Sequence, residues 1–253
     1  MIVDYIKPAT DSFVHMGLLY IDLFRLLDGN LHPSSYFEIG TSAGDSLTAF
    51  GCDALCVDPN FRIETNPALG RKRTMFFQMT SDEFFSSYRL RDYFPDGPDI
   101  CFLDGMHRFE FLLRDFINAE AACRPNSIIL MHDCLPNNVR MAERTMRVDE
   151  TEDESTRSAW TGDVWRILPT LKQHRPDLRI MALDSGPTGL IACTRLDPAS
   201  NVLRKNYDRI VDEAMNLSLP ALGLDHLWRM FPTIDTRRLS EHPEDVTAMF
   251  NIA

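Results

Sequence analysis

Short apolar segments alternate with helical patterns between residues 34 and 133, and this alternation dictates the fold class. Each apolar segment has the length of a strand, and the repeated strand–helix unit produces a parallel sheet with helices on both faces. Helices are predicted in DSLTAFG, in SDEFFSSYRL with Ser81 as its N-cap, and in RFEFLLRDFINAEAAC. The five predicted strands lie in SSYFEIG, ALCVDP, RTMFFQM, PDICFLDG and SIILMHD.

Two further apolar segments, LRIMALD and TGLIACTR, follow a predicted helix in DVWRILPTLKQHR and are separated only by SGP. That connection is too short for a crossover helix, so the two strands should pair antiparallel. Helical patterns also occur in FVHMGLLYIDLFRLL and in residues 200–230. We therefore predict one α/β domain over 1–253, with a doubly wound, Rossmann-like sheet of seven strands that ends in a reversed β-hairpin. Its parts are an N-terminal helical segment (1–33), the core (34–196) and a C-terminal helical extension (197–253).

The charge balance limits the class of partner. Lys and Arg number 26 against 37 Asp and Glu, a net charge of −11, and a duplex nucleic acid requires a basic face. Apolar runs are too short to span a membrane, and we see no signal peptide at the N-terminus. The six cysteines form no C-x-x-C pair, which favours reduced thiols in a cytoplasmic protein. The acidic run VDETEDEST (148–156) is predicted to be a solvated loop.

Polar residues follow the predicted strands at the point where each strand ends. Ligands of parallel α/β sheets bind beyond the carboxyl ends of the strands, so chemically useful side chains should converge there. We expect this edge of the sheet to carry the functional site. The residues at the strand ends are Glu38, Gly40, Asp58, Asp104, His107, His132 and Asp133.

The segment EIGTSAG joins the first strand to the following helix through a glycine-rich turn, which allows backbone to approach a ligand closely. An acid at the end of the next strand, Asp58, can accept hydrogen bonds from ribose hydroxyls. The spacing Glu38-x-Gly40-x-x-x-Gly44 differs from G-x-G-x-x-G, so a nicotinamide or flavin dinucleotide is less favoured.

These residues, with FEIGTSAG, CVDP and the terminal hairpin, resemble class I S-adenosylmethionine-dependent methyltransferases over about residues 34 to 196. The resemblance implies that Glu38 and Gly40 lie against the methionine part of the cofactor and that Asp58 binds the ribose. It also makes QMTSDEF the segment that contacts adenine. The implied cofactor-binding residues are Glu38, Gly40, Thr41, Ser42, Gly44, Asp58, Thr80, Ser81 and Asp104.

The same stretch contains GDSL (Gly44 to Leu47), which resembles the nucleophile block of a serine hydrolase family. Ser46 would be the nucleophile, and Asp104-x-x-His107 matches the D-x-x-H block of that family. However, that family places D-x-x-H near the end of the chain, after the sheet is complete, and its intervening Gly and Asn blocks are not found. We therefore interpret Ser46 as a residue of the helix's first turns and keep the hydrolase as the lesser alternative.

A second cluster comes from FLDGMHRF and LMHDCLP, which end neighbouring predicted strands. Two carboxylates that face one cleft, Asp104 and Asp133, repel each other unless a proton or cation lies between them. Mg²⁺ binds through one or two carboxylates and can lower the pKa of a substrate hydroxyl. Histidine ordinarily has a pKa near neutrality, so His107 is a candidate to accept the hydroxyl proton.

This block resembles the metal-dependent small-molecule O-methyltransferases that include the macrocin-type sugar O-methyltransferases. The resemblance implies that Asp104 is a metal ligand and His107 the base. That branch has two adjacent acids after the fifth strand, whereas this chain has His132-Asp133. His132 either ligates through nitrogen, which would suit Mn²⁺, Fe²⁺ or Zn²⁺ better than Mg²⁺, or merely packs. The predicted metal ligands are Asp104, His132 and Asp133, for Mg²⁺ or another divalent cation.

The segment SAWTGDVWRIL leaves several roles open. Trp160 and Trp165 either wall the substrate pocket or anchor a helix in the core, and Asp163 is a candidate helix cap. Gly162 would let the acidic run 148–156 close over the site as a lid.

The predicted function is methyl transfer from S-adenosylmethionine to a hydroxyl of a small molecule, such as a sugar, a natural product or a catechol-like diol. The alternatives are a metal-independent methyltransferase, the serine hydrolase, and a non-catalytic protein that binds the cofactor. We expect neither nucleic acid nor membrane as a partner, and a homo-oligomer stays open.

Overall fold

A computed structural model of the protein describes residues 2–7, 13–68, 70–146 and 159–252, so the acidic run 148–156 lies outside the described residues. One eight-stranded mixed sheet organises the chain, in the order β3-β2-β1-β4-β5-β7-β6-β8. The strands are β1 (Ser35–Ile39), β2 (Asp53–Val57), β3 (Thr74–Phe77), β4 (Ile100–Leu103), β5 (Ile128–His132), β6 (Arg179–Asp184), β7 (Leu190–Thr194) and β8 (Thr233–Asp235).

The first five strands are parallel, and β6 and β7 pair antiparallel as the short connection predicts. The predicted count of seven strands is wrong, because β8 pairs parallel with β6 and takes the edge position expected for the hairpin. Three residues, Thr233 to Asp235, are too few for a hydrophobic period to reveal a strand. The order of strands reverses between β1 and β4, which is where ligands bind in such sheets.

Helices cover both faces of the sheet, as a doubly wound fold requires. The longest is α4, whose buried positions Phe109, Leu112, Leu113 and Phe116 recur at helical spacing and pack on the sheet. The other helices are α1 (Tyr20–Leu31), α2 (Ser81–Ser87), α3 (Leu90–Tyr93), α4 (Phe109–Ala122), α5 (Ile167–His174), α6 (Val202–Lys205), α7 (Tyr207–Met215), α8 (Leu219–Leu222), α9 (Leu224–Trp228), α10 (Thr236–Glu241) and α11 (Glu244–Phe250). Short 3₁₀ turns occur at Ile2–Tyr5, Leu47–Ala49 and Val164–Arg166.

The N-terminal helix begins later than its sequence pattern predicts. Backbone N–H groups before Tyr20 bind tertiary partners instead: Met16 donates to Asp184 and Leu18 donates to Thr236. Gly17 lies so close to the end of β6 that a Cβ there would be 1.7 Å from the carbonyl oxygen of Asp184. The segment 13–19 is therefore held against the carboxyl end of the sheet rather than in a helix.

Two other local predictions need correction. DSLTAFG forms only the 3₁₀ turn Leu47–Ala49 instead of an α-helix. The N-cap of α2 is Thr80 rather than Ser81, because Thr80 and Glu83 form a reciprocal capping box. The C-terminal extension, predicted to be helical, also contains β8. Within the described ranges, none of the helices is both long and apolar enough to cross a lipid bilayer.

Candidate active site

The carboxyl ends of β1, β4 and β5 lie side by side, since Ile39 pairs with Leu103 and Leu103 pairs with Met131. Gly40 follows β1 with φ of +87° and packs directly on the residue after β4. A Cβ on Gly40 would lie 1.9 Å from the carbonyl oxygen of Asp104, so only glycine fits there. Gly40 of the glycine-rich loop is therefore in direct contact with Asp104 of the second predicted cluster.

Asp58 fixes the glycine-rich loop from the end of β2. Its carboxylate accepts hydrogen bonds from the N–H groups of Ser42 at 2.9 Å and Asn60 at 2.7 Å. Ser42 has a φ of +46° and Gly44 a φ of +88°, so the loop follows a tight left-handed path. Each carboxylate oxygen of Asp58 keeps acceptor capacity beyond these bonds. The structure thus brings the predicted ribose acid to the predicted loop.

Glu38 is fully buried beneath the same loop. It accepts hydrogen bonds from the hydroxyls of Tyr36 at 3.1 Å, Thr41 at 3.0 Å and Ser46. Burial raises the pKa of Glu38 to about 7, against the opposing effect of these three hydroxyls. Glu38 anchors the loop from below.

Ser46 is itself buried and donates its hydroxyl to this carboxylate rather than to an imidazole. Among the described residues no histidine bonds to Ser46, and His107 is occupied elsewhere. The geometry gives Ser46 a structural role and leaves the hydrolase alternative without its base.

The two residues predicted to contact adenine, Thr80 and Ser81, make different hydrogen bonds within the protein. Thr80 uses its hydroxyl in the capping box, accepting from the N–H of Glu83 and donating to its carboxylate. Ser81 bonds to Asp115, a buried residue of α4 that the sequence analysis missed because it interrupts the apolar face of an amphipathic helix without any motif. Burial raises the pKa of Asp115 to about 7, and the Ser81 hydroxyl opposes that rise.

An Asp115→Asn substitution should stabilise the protein in a pH-dependent way. Because the folded-state pKa is raised above the usual 3.8, the wild type loses stability as pH rises from about 4 to 7, whereas asparagine does not titrate. The variant should gain up to about 4 kcal/mol relative to wild type by pH 7.5 and nothing at pH 4. Urea unfolding at both pH values measures this, with exposed Asp92→Asn as the control. An equal effect at both pH values would contradict the assignment.

Two aspartates and two histidines alternate around one point at the ends of β4 and β5. His107 Nε2 lies 3.3 Å from Asp104 Oδ1 and 3.1 Å from Asp133 Oδ2. His132 Nδ1 lies 3.5 Å from Asp104 Oδ2 and 3.3 Å from Asp133 Oδ1. The four residues predicted from two separate segments thus form a single group, which we call the Asp–His cluster (Asp104, His107, His132 and Asp133).

The charges in the Asp–His cluster reinforce one another. Burial lowers the pKa of His107, but hydrogen bonding to Asp104 and the charges of both aspartates outweigh it and raise the pKa to about 9. For His132 the same competition between burial and the two carboxylates raises the pKa to about 10. Burial alone would raise the pKa of Asp104, yet the imidazoles hold it well below its usual range. Without another cation, both imidazoles therefore carry a proton at neutral pH.

His107 is held by residues 160–162, which follow the acidic run in the sequence. Its Nδ1 lies 3.0 Å from the carbonyl oxygen of Trp160, and the two rings stack at 5.4 Å. A Cβ on Gly162 would lie 1.9 Å from the carbonyl oxygen of His107, so this glycine permits close backbone contact. Trp160 thus lies at the site, whereas Trp165 is buried in the core.

Asp163 caps a different helix from the one expected. It makes no capping bond to its own helix, and its carboxylate accepts instead from the N–H of Phe109 at the start of α4.

His107 and Asp133 adopt positive φ values of +52° and +61°, which non-glycine residues seldom do. Such backbone strain is concentrated at functional sites in proteins.

The residues of the Asp–His cluster fit a divalent cation. One ligand atom from each of Asp104, His107 and Asp133 lies within 4.8 Å of the others. His107 is oriented through its other nitrogen, Nδ1, as metal-bound histidines commonly are. The predicted ligand set named His132 in place of His107, and both imidazoles face the same two carboxylates. A mixed set of carboxylate and imidazole donors suits Mn²⁺, Fe²⁺ or Zn²⁺.

Part of the chain matches a known protein family. The family described as "Methyltransferase domain" matches residues 37–134, which run from β1 to just past Asp133. The match covers the glycine-rich loop, the acid after β2 and the whole Asp–His cluster. The prediction of a methyltransferase is confirmed.

The fold of this methyltransferase is similar to two solved structures. One is the SAH-bound methyltransferase PaMTH1 of Podospora anserina, at 13% identity and a TM-score of 0.50, over 70% of this chain and 78% of that chain. The other is cofactor-bound Rv0187 from MTB, at 15% identity and a TM-score of 0.50, over 70% and 80%. These likenesses establish the Rossmann-like methyltransferase fold. No curated protein matches the sequence.

Proposed function

We propose that this methyltransferase takes a methyl group from S-adenosylmethionine and transfers it to a hydroxyl oxygen of a small molecule. The observation that carries the proposal is the contact between Gly40 and Asp104, which joins the glycine-rich loop to the Asp–His cluster. A nucleoside donor on the loop and a hydroxyl beside the cluster would then be neighbours. The SAH-bound state of the similar PaMTH1 structure supports the choice of donor.

The donor site is formed by backbone and by one acid. The turn from Gly40 to Gly44 exposes peptide groups at the switch point between β1 and β4, and Asp58 offers acceptor positions for ribose hydroxyls. When bound, S-adenosylmethionine supplies a methyl group on a sulfonium sulfur, which leaves as a neutral thioether when the acceptor oxygen displaces it in line. What the chain must provide is alignment of the acceptor oxygen and removal of its proton.

The Asp–His cluster supplies the proton acceptor. His107 is the proposed base, held in orientation by the carbonyl oxygen of Trp160 through Nδ1. Its Nε2 cannot accept a proton and bind a cation at once, so in this role His132, whose Nδ1 faces the same two carboxylates, would complete the ligand set. With a pKa of about 9 it is protonated at neutral pH as long as both carboxylates are bare, and a protonated imidazole cannot accept a proton. A divalent cation between Asp104 and Asp133 would neutralise the carboxylates that raise this pKa, and it would bind the acceptor oxygen and lower the pKa of the hydroxyl. This argument favours metal-assisted transfer.

The metal-independent alternative also has an observation in its favour. The two imidazoles, when protonated, balance the two carboxylates at 3.1 to 3.5 Å without any metal. In that case one imidazolium would have to lose its proton before transfer, and activity would increase with pH up to about 9.

A chelation experiment tests the proposal and separates these alternatives. Labelled S-adenosylmethionine and a panel of phenols, catechols and sugars are incubated with chelator-treated enzyme, alone and with Mn²⁺ or Mg²⁺. We expect methylated product, a loss of at least about tenfold after chelation, and restoration by Mn²⁺ more than by Mg²⁺. If chelation does not change the activity, the metal-independent methyltransferase is the alternative that remains. Absence of methylation on every hydroxyl acceptor, with S-adenosylmethionine bound, would contradict the proposed reaction.

A further inference from the structure

His107 lies in a strained connection that is fixed at both ends. Its φ is +52°, and such a conformation persists only where the surrounding structure enforces it. The connection starts at the end of β4 and enters α4 at Phe109, whose N–H donates to Asp163 at 2.9 Å. The direction of the imidazole therefore depends on where Asp163 holds the start of α4.

The segment that ends at Asp163 contacts the connection at three points. The carbonyl oxygen of Trp160 lies 3.0 Å from Nδ1 of His107, and Gly162 packs against the carbonyl oxygen of His107. Asp163 is almost wholly buried, and its Oδ1 accepts the hydrogen bond from Phe109. A displacement of this segment would therefore move the ring and the backbone of His107 together.

Arg144 ties this segment to α4. Its Nη1 lies 2.9 Å from Oδ2 of Asp163 and 2.9 Å from Oε2 of Glu110, and its Nη2 pairs with the other carboxylate oxygen of Glu110. Glu110 belongs to the first turn of α4, so one guanidinium joins the segment to the helix next to His107. A guanidinium binds carboxylates in a fixed planar geometry, which gives the contact direction as well as strength.

The residues before Arg144 hold the same segment through their backbone. Nε1 of Trp160 donates to the carbonyl oxygen of Glu143 at 2.7 Å, and the N–H of Thr161 donates to the carbonyl oxygen of Met141 at 3.0 Å. The chain from Met141 to Arg144 therefore positions the segment by main-chain contacts and by one charged side chain.

Arg144 itself lies apart from the Asp–His cluster. Among the described residues its hydrogen bonds and ion pairs are with Glu110, Asp163 and the sulfur of Met215. Without Arg144, Asp163 would still have Nε of Arg166 at 3.4 Å, so its buried carboxylate would not be left without a cation. Since Arg144 is also partly exposed, its replacement should leave a folded protein.

We propose that Arg144 is a positioning residue for His107: through Asp163 and Glu110 it fixes the imidazole where it can accept the proton of the acceptor hydroxyl. This inference rests on the proposed function, in which His107 is the base. Arg144 and Asp163 lie outside the matched residues 37–134. A misplacement of about 1 Å in a catalytic group can cost about a hundredfold in rate, so a residue that does not touch the substrate can control kcat.

Steady-state kinetics of Arg144→Met protein test this inference. Methionine keeps an unbranched side chain but removes the charged fork, and we expect kcat to decrease by roughly ten- to a hundredfold. The KM for S-adenosylmethionine should stay within about twofold, because the glycine-rich loop and Asp58 are unchanged. Arg144→Lys should restore part of the loss, since an ammonium keeps the charge but cannot bind both carboxylates in one plane.

Arg209→Met is the matched control. Arg209 is an exposed residue of α7 that pairs with Glu213 at 2.6 Å, and its replacement should change neither kcat nor KM. Thermal unfolding verifies that all variants fold.

A double-mutant cycle with His107→Gln shows whether Arg144 acts through His107. In the His107→Gln background, Arg144→Met should reduce the residual transfer by less than about twofold, because the group that Arg144 positions is gone. Transfer from labelled S-adenosylmethionine measures this residual rate.

Two results would overturn the inference while leaving the proposed function intact. One is the same fold-loss from Arg144→Met in both backgrounds, and the other is an unchanged kcat in Arg144→Met alone. Full activity of His107→Gln would instead contradict the base of the proposed function and this inference with it. Absence of methyl transfer by the wild type would contradict the reaction itself.

Discussion

Asp104→Asn protein should lose methyl-transfer activity by roughly a hundred- to a thousandfold in kcat/KM. Asp104 contacts both imidazoles of the Asp–His cluster, through Oδ1 at 3.3 Å and Oδ2 at 3.5 Å. An amide of the same shape removes the charge that orients His107 and that would hold the proposed cation, and it points an N–H₂ group at one imidazole. The loss is measured from initial rates, with the acceptor that the wild type methylates most efficiently.

Two controls test whether that loss of activity is specific to the carboxylate of Asp104. Asp96→Asn changes an exposed aspartate before β4 and should retain activity within about twofold, as surface substitutions usually do. S-adenosylhomocysteine should still bind Asp104→Asn protein within about tenfold, because Gly40 contacts the backbone of this residue and not its carboxylate. Activity within threefold of wild type would mean that the cluster takes no part in the reaction.

Gly40→Ala should disrupt both the site and the fold around it. The new Cβ would lie 1.9 Å from the carbonyl oxygen and 2.5 Å from the carbonyl carbon of Asp104. Both are backbone atoms, so they cannot move away as the end of a flexible side chain can. The φ of +87° adds strain for any residue with a Cβ. We expect a loss of about 3 kcal/mol or more in the free energy of unfolding and no measurable S-adenosylhomocysteine binding.

Gly29→Ala provides the matched control. Gly29 lies within α1, a Cβ there meets nothing within 4 Å, and alanine is a better helix former. This variant should be slightly more stable than wild type, by about 0.5 to 1 kcal/mol, with unchanged ligand affinity. If Gly40→Ala were as stable as Gly29→Ala and still bound ligand, the close approach of β1 and β4 at this point would be wrong.

The general architecture could be predicted because it depends on local pattern. Strand-length apolar segments that alternate with helices permit few arrangements, and the carboxyl ends of parallel strands must meet at one edge. Asp104 and Asp133 could be placed together for this reason, and they indeed follow neighbouring strands. The assignment of His107 to the same group required only that it lie in the short connection between the fourth strand and the next helix, α4.

What the sequence could not provide depends on contacts between distant segments. The ring centroid of Tyr20 lies 4.4 Å from that of His132 because Gly17 and Leu18 bind the ends of β6 and α10, which no periodicity encodes. Asp163 caps α4 across 54 positions, and Asp115 reaches Ser81 across the interior. Strand β8 is stabilised by its pairing with β6 rather than by its own three residues.

Titration of S-adenosylhomocysteine into the purified protein tests the central claim most directly. The claim is that the loop from Gly40 to Gly44, together with Asp58, forms the binding site of a sulfonium nucleoside at the switch point of the sheet. Calorimetry should give one site per chain with a Kd in the micromolar range, about −8 kcal/mol, and Asp58→Ala should weaken it at least tenfold. Absence of heat up to millimolar ligand, with a folded protein, would contradict the account.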